Sequence, residues 1–159
     1  MTFDLRDLYQ DMILDHGKRP RNARVIEGAS IAQPAYNPLC GDRGTLYLAI
    51  GADGTTLDDI SYVGQGCSIS TASASIMTEF LRGKSRQESL AAFGLFHDMV
   101  TAKPDEASHR AIPSLGKLAV FSGVAEFPAR VKCASLAWHA LRTALTVGAT
   151  ASATPVSTE

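Results

Sequence analysis

Charge of one sign is nowhere in excess in this chain: 15 Lys and Arg stand against 16 Asp and Glu, a formal net charge of −1. That balance lacks the basic footprint nucleic-acid binding requires and excludes it as a partner. No apolar run approaches the roughly 20 residues of a spanning helix. The opening MTFDLRDLYQ carries acids where a secretion signal would carry a basic segment and then an apolar one. These absences predict a cytoplasmic protein with no membrane among its partners. Cysteine is scarce and odd in number, with Cys40, Cys67 and Cys133 far apart, which argues against a disulfide framework. There is no CxxC pair and no HExxH, so any metal site has to be assembled by the fold. His16, His97, His109 and His139 show no ligand pairing and read as surface or packed side chains.

What is present suits one compact domain. With 159 residues, 45% of them hydrophobic and 19% charged, the chain can bury a real core. We expect a single domain over 1–147 and a flexible tail over 148–159, where ATASATPVSTE is small, polar and Pro-containing. Asp4 is placed to cap a helix carrying Leu5, Leu8, Tyr9, Met12 and Ile13 on one face, with Gly17 as its stop. Residues 18 to 39 read mostly as a loop, basic at Lys18, Arg19, Arg21 and Arg24, with a strand near 24–32. TLYLAI and ISYVG alternate with period two around ADG and predict an antiparallel hairpin.

Small residues after GQGC yield to Ile76, Met77, Phe80 and Leu81 at helical spacing, which places Cys67 at a strand-to-helix junction. Ser85 with Glu88 fits a capping box. The segment from Thr101 to Pro113 looks irregular, and SLGKLAVFSGV predicts a short helix ending near Gly123. Pro128 bars its continuation. A last helical stripe from Val131 begins with Cys133. A sheet followed by helices predicts an α+β fold, a small antiparallel sheet with helices packed on one face.

The cysteines share an address in that scheme: Cys40 in a loop before the sheet, Cys67 and Cys133 at helix starts. Helix N-termini favour anions and lower thiol pKa values. If the helix starts point to one end of the domain, the three thiols and Asp42 meet there, and a thiolate-rich site suits zinc and iron clusters alike. Read singly, each cysteine is equally a packed thiol, and Asp42 after Gly41 a turn residue.

Taken together, YQDMILDHGKRPRN, NPLCGDRG, GQGCSISTASASIM and FPARVKCASLAWHAL resemble the U-type iron–sulfur cluster assembly proteins, the family that includes the NifU N-terminal domain. The resemblance runs from about residue 8 to 145. The stretch between Cys67 and Cys133 is longer than in the IscU type, Lys132 stands where that type carries His, and EFPARVK replaces its chaperone-binding LPPVK. These features point to the SufU branch. Gly17 departs from the aromatic residue usual after LDH.

The resemblance implies a zinc site made by Cys40, Asp42, Cys67 and Cys133, with Cys40 as sulfur acceptor and Arg130 gating or orienting the loop thiol. Read on its own, Arg130 is equally a surface residue after Pro128. The implied partners are a pyridoxal-phosphate-dependent cysteine desulfurase of the SufS type and downstream Suf components or apo iron–sulfur proteins. The same four ligands serve two other readings: a scaffold for a transient [2Fe–2S] cluster and a purely structural zinc module.

Overall fold

The computed structural model of the chain describes residues 5–38, 41–101 and 112–147. Helix α1 (Leu5–Lys18) leads into strands β1 (Ile31–Asn37), β2 (Asp42–Ile50) and β3 (Leu57–Gln65). Helices α2 (Ser68–Leu81) and α3 (Arg86–Thr101) follow, then the single turn α4 (Ile112–Leu115) continuing as a 3-10 segment (Gly116–Glu126), and finally α5 (Pro128–Val147). The strands form one antiparallel sheet in the order β1-β2-β3. This is the α+β arrangement expected.

Alternation explains the layering. Ile31 and Ala35 of β1, Leu46 and Leu48 of β2 and Ile60 and Tyr62 of β3 are buried, and α2 and α5 cover that side of the sheet. On the other side Tyr36 and Arg43 are exposed. β1 sits later than the expected strand near 24–32 because its inward positions include Gln33 and Asn37, polar side chains that hide a period of two. Pro34 belongs to a strand here because β1 is an edge strand, and an edge tolerates a missing N–H.

The capping box opens α3 as expected: the Glu88 N–H donates to Ser85 Oγ at 3.0 Å and the Ser85 N–H to Glu88 Oε1 at 3.1 Å. Two helix boundaries differ from expectation. α1 runs through Gly17, because this residue is pressed on the start of α2, where a Cβ would fall 3.2 Å from Ser68 Cβ. The SLGKLAVFSGV segment runs to Glu126 as a 3-10 helix, and Pro128 is the first residue of the next helix, a position where a missing N–H costs nothing. The Asp4 cap, most of the 101–113 segment (102–111) and the tail over 148–159 lie outside the described residues.

The long stretch between Cys67 and Cys133 contributes to the core. Phe96 of α3 stacks on Trp138 of α5 with centroids 4.6 Å apart and meets Phe121 of the 3-10 segment edge-on at 5.9 Å. All three are fully buried. Such pairs add about 0.5–1.5 kcal/mol each beyond their buried area, and they lock α3 and the 3-10 segment to α5.

Candidate metal centre

Asp42 opens β2 at the end of the sheet that meets the first turn of α2. Its inward position follows from the alternation that buries Leu46 and Leu48, and it is 1% exposed. A buried carboxylate has to be hydrogen-bonded or bound to a cation. The Cys67 N–H donates to Asp42 Oδ1 at 3.0 Å, and the Cys67 thiol faces Asp42 Oδ2 at 3.8 Å. The carboxylate therefore joins the sheet to the helix with one oxygen and turns the other toward the thiol.

Cys67 is the N-cap of α2, with extended backbone (φ −69, ψ 168), and its sulfur accepts the Ser70 N–H at 3.5 Å. It stands where the helix leaves its first N–H groups without intrahelical partners. Cys133 is the sixth residue of α5, not its start. This corrects the expectation of a helix-terminal thiol. Because Pro128 begins the helix, Cys133 lies one turn in, and its thiol reaches back to the Ala129 carbonyl at 3.8 Å.

The three side chains nevertheless meet: one ligand atom each from Asp42, Cys67 and Cys133 lies within 4.8 Å of the others. Cys133 is 3% exposed and Cys67 half-buried. A buried tie from the Ser73 hydroxyl to the Ala134 carbonyl at 2.6 Å holds the thiol-bearing ends of α2 and α5 together. Cys40, the fourth residue of the expected set, lies outside the described residues.

The donor set fits a tetrahedral thiophilic ion. Zinc bonds of about 2.3 Å to sulfur and 2.0 Å to oxygen put two such donors about 3.5 Å apart, close to the 3.8 Å between Cys67 Sγ and Asp42 Oδ2. Two sulfurs and one oxygen leave one position for a further ligand.

Arg130 stands in the first turn of α5, exposed, with its guanidinium beside both thiols. The Cys67 sulfur, then bonding to Cys133, push it further toward its charged form. A fixed cation there stabilises sulfur anions. The residues expected at the site are thus brought together wherever they are described.

Two features were missed in the sequence. A Cβ on Gly66 would fall 2.5 Å from Asp42 Oδ1, so only glycine lets the carboxylate reach the helix start. Gly44 is filled by the Tyr62 ring, a Cβ there falling 2.5 Å from Tyr62 Oη. Burial, then the Asp42 charge, hold the Tyr62 phenol well above its ordinary pKa. The signal was the glycine count around GQGC and GDRG. His16 is packed, one of the two readings the sequence allowed: it is 3% exposed, and its Nδ1 lies 2.7 Å from Ser75 Oγ.

The basic stretch forms local pairs, Arg19 and Arg21 with Asp15 and Arg24 with Asp59.

Comparison with known proteins agrees with this geometry. The profile of the NifU-like N-terminal domain matches residues 8–145. The zinc-dependent sulfurtransferase SufU of Bacillus subtilis is 42% identical over 143 residues, covering 89% of this chain and 92% of that protein. The iron–sulfur cluster assembly scaffold protein IscU of Streptococcus pyogenes is 40% identical over 141 residues, covering 89% and 84%. A crystal structure from Fervidobacterium islandicum, described as a scaffold protein for the SUF system, superposes with a TM-score of 0.77 at 31% identity, covering 90% and 100%.

Proposed function

This chain belongs to the NifU-like N-terminal domain family, and from that premise we propose that it is an iron–sulfur cluster biogenesis protein acting as a zinc-dependent sulfur acceptor. The observation that carries the reading is the convergence of Asp42, Cys67 and Cys133 within 4.8 Å, at the foot of α2 and beside Arg130. Cys40, two residues before Asp42 in the sequence, completes the set. Zinc, when bound, keeps the sulfurs deprotonated.

The residues divide the work. Asp42 is a hard oxygen among soft sulfurs, unlike the ligand sets of closed structural zinc sites, and suits a site that exchanges a ligand. Cys67 and Cys133 are anchored on helices and hold their place. Cys40 acts as nucleophile: its thiolate attacks the terminal sulfur of a persulfide on a cysteine desulfurase. The donor's S–S bond breaks, the donor leaves as thiolate, and Cys40 becomes a persulfide, the exchange chemistry of thiols and disulfides. Arg130 offers a cation to the sulfur anions. Downstream, Suf components or apo iron–sulfur proteins receive the sulfur.

Replacing Cys40 by Ala tests the relay. Stimulation of the desulfurase should disappear; undiminished stimulation would remove the acceptor role. The scaffold reading keeps a specific support, since the same donors suit a [2Fe–2S] cluster and the Streptococcus relative carries the scaffold name. It requires that iron and sulfide reconstitute a cluster that passes to an apo acceptor.

A further inference from the structure

Asp42, Gly44 and Leu46 are alternate residues of β2 on the side facing the helices, and Tyr62 is the cross-strand partner of Leu46. With no side chain at Gly44, the Tyr62 ring lies along the strand, its hydroxyl at the place of the missing Cβ. One step further, about 7 Å along a strand rising about 3.4 Å per residue, is Asp42. The hydroxyl is therefore carried along the strand in the direction of the carboxylate.

That hydroxyl is buried and has no hydrogen-bond partner among the described residues. A buried hydroxyl left unsatisfied costs about 1–3 kcal/mol, and phenylalanine would fill the same space without it. Tyr62 also lines a cavity of about 160 Å³ together with Gly64, Ser70 and Ser75. Asp42 is the charge that acts on this phenol.

We propose that Tyr62 is a positioning residue for ligand exchange: its hydroxyl donates to the Asp42 carboxylate when that carboxylate leaves the metal, stabilising the detached state and speeding metal release. The proposal rests on Asp42 being a metal ligand. Asp42 Oδ1 accepts the Cys67 N–H and Oδ2 faces the Cys67 sulfur, and in this arrangement the Tyr62 hydroxyl has no partner among the described residues. In the detached state the carboxylate exchanges the metal for a phenol donor in place of an unsolvated pocket. A hydrogen bond to a charged group is worth about 1.5–3 kcal/mol, so the phenol weakens metal binding by roughly tenfold or more.

The test uses the full chain loaded with zinc alone, with affinity and release rate read by competition against a chromogenic chelator. The variants are Tyr62→Phe, Asp42→Ala and the double substitution, and circular dichroism verifies each fold. Tyr62→Phe should bind zinc roughly tenfold more tightly and release it correspondingly more slowly. Asp42→Ala should bind more weakly, and adding Tyr62→Phe to it should change nothing further. If Asp42→Ala weakens binding while Tyr62→Phe leaves it unchanged or weaker, the Tyr62 role falls and the ligand set stands. Wild-type affinity in Asp42→Ala would remove Asp42 as a ligand, and this inference with it.

Discussion

At the scale of single residues, the site depends on a place where a side chain is missing. Asp42 reaches the Cys67 N–H only because residue 66 is glycine. Gly66→Ala should displace the carboxylate and lower zinc affinity by roughly tenfold, the loss of one charge-assisted hydrogen bond, while the circular dichroism spectrum stays that of the wild type. Chelator competition measures it, and unchanged affinity would mean that the carboxylate tolerates the crowding. The converging residues, Cys67, Cys133 and Asp42, were legible in the sequence because thiols are few and each carries a distinctive neighbourhood. Gly66, Gly44 and Tyr62 were not, because a glycine's need is set by the atom that approaches it across the fold.

Among elements, the joint between α1 and α2 carries a pH-sensitive group. The Arg21 N–H donates to Ser75 Oγ at 2.8 Å, the same oxygen lies 2.7 Å from His16 Nδ1, and the other ring nitrogen lies 3.6 Å from Glu79 Oε1. Burial, then Arg21, push the His16 pKa below its ordinary value, with Glu79 and Asp15 opposing. His139 is lowered too, by burial, His97 and Arg142. A histidine depressed in the fold contributes stability that is present above the unfolded value of about 6.5 and lost as the pH falls through the folded one. Thermal midpoints should therefore drop as the pH falls below about 6.5, and His16→Gln should flatten part of that drop, leaving the share of His139. An unaltered profile in His16→Gln would place the titration elsewhere. The hairpin, the Ser85–Glu88 cap and α2 could be read from the chain because each is written in local residues. β1 and the start of α5 could not: polar Gln33 and Asn37 face inward against the expected pattern, and Pro128 opens a helix where it reads as a barrier.

For the whole molecule, the aromatic cluster and the candidate metal centre make different predictions. The core runs from Leu46 and Ile60 through Ile76 and Met77 to Phe96, Phe121 and Trp138. Trp138→Ala should cost about 3–5 kcal/mol, seen in denaturant melts, without altering which residues bind metal. Removing zinc should lower the thermal midpoint, since a ligand at 100 times its dissociation constant adds about 2.7 kcal/mol. The far-UV spectrum at room temperature should persist. A purely structural zinc module would unfold instead.

The central claim is that the NPLCGD segment and the two helix-borne cysteines form a metal-held sulfur acceptor. Metal content of the purified chain, paired in the same preparation with cysteine desulfurase turnover in its presence and absence, tests it most directly. We expect one zinc per chain and strong stimulation of turnover. Bound iron and sulfide with little stimulation would contradict it and make the same residues the ligands of a scaffold.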